Sequence, residues 1–456
     1  MGRAGWRGRL RQPGRLGSLG FHPLSDGSQM AVAAALLVAV LALVVIRPRR
    51  LDVAWFAGAG ALLALALGLL SAHALLTIVH DTWDAAATLI ALFVLSESLD
   101  ANGFFNWAAL CLARAANGSG ARLYGLALLL TAATAALLAN DGAVLMLTPI
   151  FARLLTKIYP ERRLQLPILF AVGFLADAMS ALFVPSNLTN IIIADANGLS
   201  FVRVALWMAL PMAAAFVVAS SAFGLRFRRA LVKPYDVSSL EEPASAVRDW
   251  LLFRAGWVAL GGLVVGYIVG GELRLPVSLI AGAAALAMLA LTQARGVRTA
   301  ADSLRSAPWS VLIYAVGMFV VITAAYDAHT LTFLTAPVTR LVSLPGGRGA
   351  SIGAGSLLAL LAAAVNNLPA ALIGVLALRG ATQVNHIAYY ALMLGVDIGP
   401  KLTPFGSLAT LLWLGILERN GIHISWGRFI RENWWVTLLT LGAAFGALAL
   451  VSLVLS

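Results

Sequence analysis

Charge is scarce in this chain of 456 residues. Only 11% are Asp, Glu, Lys or Arg, while 61% are hydrophobic. Soluble domains carry about a quarter charged residues, so a water-soluble fold is excluded. Disorder, which needs low hydrophobicity and high charge, is excluded as well. Two-residue alternation is missing from the apolar stretches, which argues against a transmembrane β-barrel. Cysteine is almost absent: Cys111 stands alone, so neither an internal disulfide nor a cluster of thiolates can form. The chain has no G-x-x-x-x-G-K-[ST] loop for hydrolysing ATP, no H-E-x-x-H and no G-x-S-x-G. His73, His80, His329, His386 and His423 are scattered near the ends of apolar stretches and read as interfacial residues rather than metal ligands. No cofactor is expected.

What is present is a succession of apolar segments at 31–46, 53–71, 84–99, 123–138, 143–155, 166–181, 187–195 and 201–225, then 252–271, 275–293, 308–326, 351–365, 368–378, 386–398, 405–418 and 432–455. A full span needs about 20 residues. Several segments are shorter and come in adjacent pairs split by polar residues, the pattern expected around a transporter's binding site. The fold class is therefore an all-α polytopic membrane protein. Trp83, Trp309, Trp426, Trp434 and Trp435 read as interfacial anchors.

The two halves match. Trp83 aligns with Trp309 and Asn140 with Asn366 at one common offset. After a shorter loop Asp177 aligns with Asp397, and in that register Ser186-Asn187-Leu188-Thr189-Asn190 lies on Gly406-Ser407-Leu408-Ala409-Thr410. The expected organisation is a first repeat at 30–225, a connector at 226–251 and a second repeat at 252–456. Each repeat contains five crossings and one re-entrant hairpin, with hairpins at 123–155 and 351–378 and broken spans at 166–195 and 386–418. An odd number of crossings inverts the second repeat relative to the first.

Counting basic residues tests this topology. Twenty-one Lys and Arg fall on one side and five on the other. The positive-inside rule makes the first side cytoplasmic, together with the 226–251 connector, and both ends of the 30–456 core external. The same bias accounts for the net charge of +12 without a nucleic-acid partner. Residues 1–29, with Arg3, Arg7, Arg9, Arg11 and Arg15, read either as a disordered tail or as sequence upstream of the true start. An Arg-rich external tail would break the charge rule, which favours Met30 as the start. No signal-peptide cleavage site follows 31–46.

Charged groups at membrane depth are costly and usually functional. Here they are Asp141, Asp177, Asp397 and Lys401, with Glu97 near the end of a span. Each acid sits beside Pro, Gly, Asn or Ser, where a helix breaks and exposes backbone groups that need partners. Asn140-Asp141-Gly142 and Asn366-Asn367-Leu368-Pro369 occupy the hairpin tips, where Asn can both donate and accept. Pro185 and Pro404 interrupt the broken spans. The polar side chains beside them, Ser186, Asn187, Asn190, Ser407 and Thr410, either cap the half-helices or contact a ligand. Asp397 and Lys401 are four apart and could pair, although Gly399-Pro400 lies between them. Candidate substrate contacts are thus Asn140, Ser186, Asn187, Asn190, Asn366, Asn367, Ser407 and Thr410. Candidate proton-coupling groups are Asp141, Asp177, Asp397 and Lys401. Lys401 would supply a fixed positive charge where a sodium-coupled carrier holds an ion.

The segments Leu138-Ala139-Asn140-Asp141-Gly142-Ala143, Leu147-Thr148-Pro149-Ile150 and the long run from Gly399 to Leu414 resemble ArsB-type arsenite/antimonite efflux carriers of the ion-transporter superfamily. Gly103-Phe104-Phe105, Trp107-Ala108-Ala109 and Ala307-Pro308-Trp309 extend the likeness over roughly 30–456. The resemblance implies export of As(III) and Sb(III) in exchange for protons across the cell inner membrane, sometimes with a soluble ATPase docked on the cytoplasmic face. The connector is one place for such docking, and a plain linker is the other reading of it. Arsenite near neutral pH is a small uncharged trihydroxy species, which amide and hydroxyl partners suit. The alternatives are a sodium/proton antiporter or another anion carrier of the same superfamily, and a membrane subunit strictly dependent on a partner ATPase. Oligomeric state is left open, with a homodimer suggested by analogy only.

Overall fold

The computed structural model describes residues 26–47, 51–273, 275–344 and 347–455. The segment 1–25, with the five arginines of the extension, lies outside the described residues. The described chain is helical, with one isolated bridge between Ser119 and Pro234.

The first half contains α1 (Asp26–Ile46), α2 (Val53–Ala66), α3 (Ala72–Ala101), α4 (Phe104–Ala115), α5 (Gly120–Leu138), α6 (Asn140–Ile158), α7 (Arg162–Ala178), α8 (Leu188–Asn197) and α9 (Phe201–Arg226). The second half contains α10 (Trp250–Leu273), α11 (Val277–Ala294), α12 (Trp309–Asp327), α13 (Thr332–Val342), α14 (Arg348–Val365), α15 (Asn367–Gly380), α16 (His386–Ile398), α17 (Leu408–Arg419) and α18 (Trp426–Leu455). Helix α1 begins at Asp26, ahead of Met30, so the end of the expected extension is helical.

Among the described residues, ten helices are long and apolar enough to cross a membrane, and the chain is a multi-pass membrane protein. They are not the ten crossings expected from sequence. The first arms of the two hairpins, α5 and α14, qualify by length and composition, whereas α2 and the pieces of the second broken span, α16 and α17, are too short. Length and hydropathy alone do not separate a re-entrant arm from a crossing.

Helices α4 and α13 have no counterpart among the sequence-derived segments. Both precede a hairpin, and both interleave apolar with polar residues, as in FFNWAALCLARA and TFLTAPVTRLV. A search for continuous apolar stretches passes over such amphipathic helices.

The element order recurs, and the packing between halves is reciprocal. Helix α2 lies against α12, as α11 lies against α3. Helix α6 packs on α17, as α15 packs on α8, and α9 packs along α18. The two halves therefore share one core.

Each hairpin turns at a non-glycine residue in left-handed territory, Ala139 at φ 68° and Asn366 at φ 92°. Such backbone persists only where surrounding packing enforces it. The broken spans behave as Pro dictates. Helix α7 passes into short 3-10 turns at Met179–Leu182 and Val184–Ser186, and α16 into one at Gly399–Leu402. The chain is extended at Phe183, Asn187, Thr403 and Ser407 before each second half-helix begins.

Helix α16 reaches the centre because it crosses α14 on glycine. A Cβ on Gly395 would lie 2.2 Å from the Gly355 carbonyl oxygen, and one on Gly399 would lie 2.5 Å from Ala359 Cα. Small residues allow this close backbone approach in membranes. Gly395→Leu is expected to force the crossing open, lowering stability by about 1–3 kcal/mol. A drop in melting temperature of the detergent-purified protein checks it.

The connector is fastened to one end of the molecule. Arg114 donates to the carbonyls of Leu240 (2.9 Å) and Glu241 (3.1 Å), and Tyr159 donates to Lys233 (2.9 Å). Asn102 and Asp249 exchange two hydrogen bonds, at 2.9 and 2.8 Å. The Asp249 carboxyl is held below its ordinary range, first by the Leu252 N–H and next by Arg295. Arg226, placed in the connector by sequence, instead ends α9 and forms a bidentate pair with Glu432 at 2.9 and 3.1 Å.

Candidate functional site

Four half-helices start at the centre of the molecule: α6 at Asn140, α8 at Leu188, α15 at Asn367 and α17 at Leu408. Their N-termini converge on one small cavity. It is bordered by Asn140 and Asp141, Asn187 to Thr189, Asn367 and Leu368, Leu408 and Ala409, with Val311 and Tyr314 from α12. Unpaired amides and aligned dipoles at helix N-termini favour electron-rich oxygen.

The cavity measures about 30 Å³, room for roughly two waters at 10–15 Å³ each. A groove of about 420 Å³ between α5 and α9, bordered by Arg122 and otherwise mostly apolar residues, shares no residue with the polar centre.

Behind the cavity the two repeat-related acids each reach into the opposite half. Asp177, fully buried, accepts from Asn140 Nδ2 (2.8 Å), from Lys401 Nζ (2.9 Å) and from the Ser407 hydroxyl. Asp397, also fully buried, accepts on Oδ1 from Asn187 Nδ2 and Thr189 Oγ1, both at 2.9 Å. Ser407 caps α17 and Asn187 caps α8, so each acid grips the residue that caps the other half's second half-helix.

The halves differ in one charge. Lys401 donates to Asp177, to the Gly173 carbonyl (3.0 Å) and to Thr410 Oγ1 (2.8 Å), which uses all three ammonium hydrogens. The first-half position in the same register as Lys401 is Ala181. Asp397 consequently has only neutral donors.

The expected pairing of Asp397 with Lys401 is thus corrected. Gly399-Pro400 turns the backbone into a 3-10 segment, one helical turn is lost, and the ammonium crosses to Asp177.

Of the expected substrate contacts, Asn140, Asn187 and Asn367 border the cavity; Ser186, Asn190, Asn366, Ser407 and Thr410 do not. Ser186 donates to the Ala136 carbonyl, Asn190 Nδ2 to the Ser180 carbonyl (2.9 Å) and Asn366 Nδ2 to Phe405 (3.1 Å). These three tie the broken backbone to its neighbours, the repair role polar groups fill at a break. Asp141 borders the cavity, and its buried Oδ1 meets no donor among the described residues.

Thr189 belongs to the polar run 186–190 read from sequence but is not among its candidate site residues, and Ser180 and Tyr314 are central without figuring in that reading. Tyr314 is buried and donates to Asn366 Oδ1 at 3.2 Å. A phenol in the middle of an apolar span was the available signal.

A multi-pass helical protein whose interrupted helices converge on a polar, charge-bearing centre is of the membrane-transport class. The family model for ArsB, the arsenical pump membrane protein, matches residues 30–453, and the chain belongs to that family. It is 39% identical over 425 residues to an arsenical pump membrane protein of Yersinia enterocolitica, covering 92% of this chain and 99% of the relative. The corresponding Escherichia coli protein is 38% identical over 425 residues with the same coverage. Among solved structures, the YdaH transporter of Alcanivorax borkumensis aligns with a TM-score of 0.47 at 14% identity, over 92% of this chain and 98% of that one.

Proposed function

We propose that this protein is a secondary carrier that exports arsenite and antimonite in exchange for protons. The observation that carries this reading is the single cavity ringed by four helix N-termini, the amides of Asn140, Asn187 and Asn367, and the unpartnered Asp141 Oδ1. Arsenite and antimonite are uncharged trihydroxy species that donate and accept hydrogen bonds all round. Asp141 accepts from one substrate hydroxyl, and the asparagine amides serve the others. A trithiolate complex, which would release metalloid slowly, needs three cysteines, and this chain has one.

Reciprocal packing of the halves supports two inverted repeats that rock around a fixed central site. The 21-to-5 distribution of basic residues supports an orientation in the inner (plasma) membrane with the connector cytoplasmic and both ends of the 30–456 core outside. In this reading Lys401 sits where a sodium-coupled carrier would hold an ion, between a carbonyl, a hydroxyl and a carboxylate. That occupancy argues against sodium coupling at this position.

Arsenite uptake into everted membrane vesicles tests the reading. Expected is accumulation driven by an acid interior without ATP, collapsed by a protonophore and indifferent to a sodium gradient. Accumulation only with ATP and an added soluble ATPase would instead favour the partner-dependent subunit.

A further inference from the structure

The exchange reading leaves open which acid carries the proton and how the substrate senses it; the inference below rests on that reading. Asp177 is badly placed to be the carrier. Both of its oxygens are engaged and its charge is matched by Lys401. Asp141 faces the cavity and is taken up by substrate. Asp397 remains, and among the described residues all of its hydrogen-bond donors are neutral.

Its Oδ1 accepts from Asn187 and Thr189. Its Oδ2 lies 3.4 Å from Ser180 Oγ, and the Asn190 side chain also bonds the carboxyl. Ser180 Oγ stands 2.6 Å from the Asp177 carbonyl and 3.4 Å from Asp397 Oδ2, and its one hydroxyl hydrogen can serve only one of the two at a time. Next to them the Asn190 amide, fully buried and interacting with Asp397, has an Oδ1 without any donor. When the Ser180 hydrogen serves the Asp177 carbonyl, Oδ2 faces the Ser180 oxygen without that hydrogen, and a proton on Oδ2 restores the bond.

The charged groups around Asp397 are few. From α7 Asp177 repels it, and from the turn after α16 Lys401 is spent on Asp177. Helix α8 and the 179–182 turn face it with hydroxyls and amides. The charged residues of α8, α9, α14 and α15 lie in the terminal turns of those helices, and those of α18 in its first two turns, where buried Glu432 pairs with Arg226.

Thr189 connects this acid to the substrate, because it touches Asp397 at 2.9 Å and also borders the cavity. We infer that Asp397 carries the exchanged proton and that the Thr189 hydroxyl relays its charge state to the arsenite site. Ionised Asp397 holds the Thr189 hydrogen, because an ionised acceptor makes the stronger hydrogen bond. The Thr189 oxygen is then left as an acceptor for an arsenite O–H. Protonation of Asp397 loosens that grip, the Thr189 hydroxyl turns, and arsenite loses its acceptor. Proton and arsenite thus oppose one another, and the opposition is reciprocal by linkage. An antiporter requires this opposition.

The test uses the purified full chain in weakly buffered detergent, with arsenite binding read by calorimetry and proton release by an indicator dye. Wild type is expected to release up to roughly one proton per arsenite bound, over the pH range in which Asp397 is protonated. Asp397→Asn, whose amide can donate to Ser180 and Asn190 as the protonated acid would, is expected to bind arsenite more weakly, with an affinity that no longer varies with pH and with no proton release. Thr189→Val keeps the acid but removes the relay, so its release per arsenite falls well below wild type. If Asp397→Asn binds too weakly to measure, Thr189→Val decides. Wild-type release from either variant overturns the relay while leaving proton exchange intact. A wild type that binds arsenite and releases no proton overturns the exchange reading itself.

Discussion

Asp177→Asn will abolish arsenite transport and sharply destabilise the protein. The cause is Lys401, which is 1% exposed and among the described residues forms a direct ion pair with Asp177 alone. Removing one partner of a buried ion pair leaves a desolvated charge uncompensated, at a cost of about 3–5 kcal/mol. Replacing both partners, as in Asp177→Asn with Lys401→Met, removes that charge. The double variant is expected to recover much of the lost melting temperature while remaining inactive, because Ser407 and Asn140 still lose their carboxylate anchor. Thermal melts of the single and double variants check this. A single variant as stable as wild type would show that the pair does not hold the centre together.

Asp141→Ala is expected to act almost wholly on binding. Its Oδ1 engages no donor among the described residues, so the fold loses little, while arsenite loses a charged acceptor. A hydrogen bond to a charged group contributes about 1.5–3 kcal/mol, a loss of roughly ten- to hundredfold in affinity. Titration of arsenite into wild type and variant, with matching melting curves, separates this from misfolding. Unchanged affinity in a folded variant would remove Asp141 from the substrate site.

The breaks were legible because their causes are local. Pro185 and Pro404 lie in the stretches between half-helices, and Asn140-Asp141-Gly142 and Asn366-Asn367-Leu368-Pro369 are turn chemistry set inside apolar sequence. The register read between the two halves of the sequence has a counterpart in the hydrogen bonds. It paired Asp177 with Asp397 and Asn187 with Ser407, and the structure crosses those pairs, Asp177 to Ser407 and Asp397 to Asn187.

The destination of Lys401 was not legible. Its partners Asp177 and Gly173 are more than 200 residues away in sequence, while Asp397, one helical turn off, is the nearer choice on paper. For the same reason Ser186 and Asn366 read as ligand contacts although both are bonded to backbone carbonyls of neighbouring segments. Composition can mark a polar group at membrane depth; whether it faces a cavity or a carbonyl depends on tertiary packing.

The account stands on arsenite binding where the two hairpin tips meet the two broken helices. An arsenic anomalous difference map from crystals of the full chain soaked in arsenite tests it most directly. Expected is one strong peak within hydrogen-bonding reach of Asp141, Asn140, Asn187 and Asn367, in a cavity wider than the present one. A peak beside Cys111, or anywhere that leaves those four side chains untouched, would contradict it.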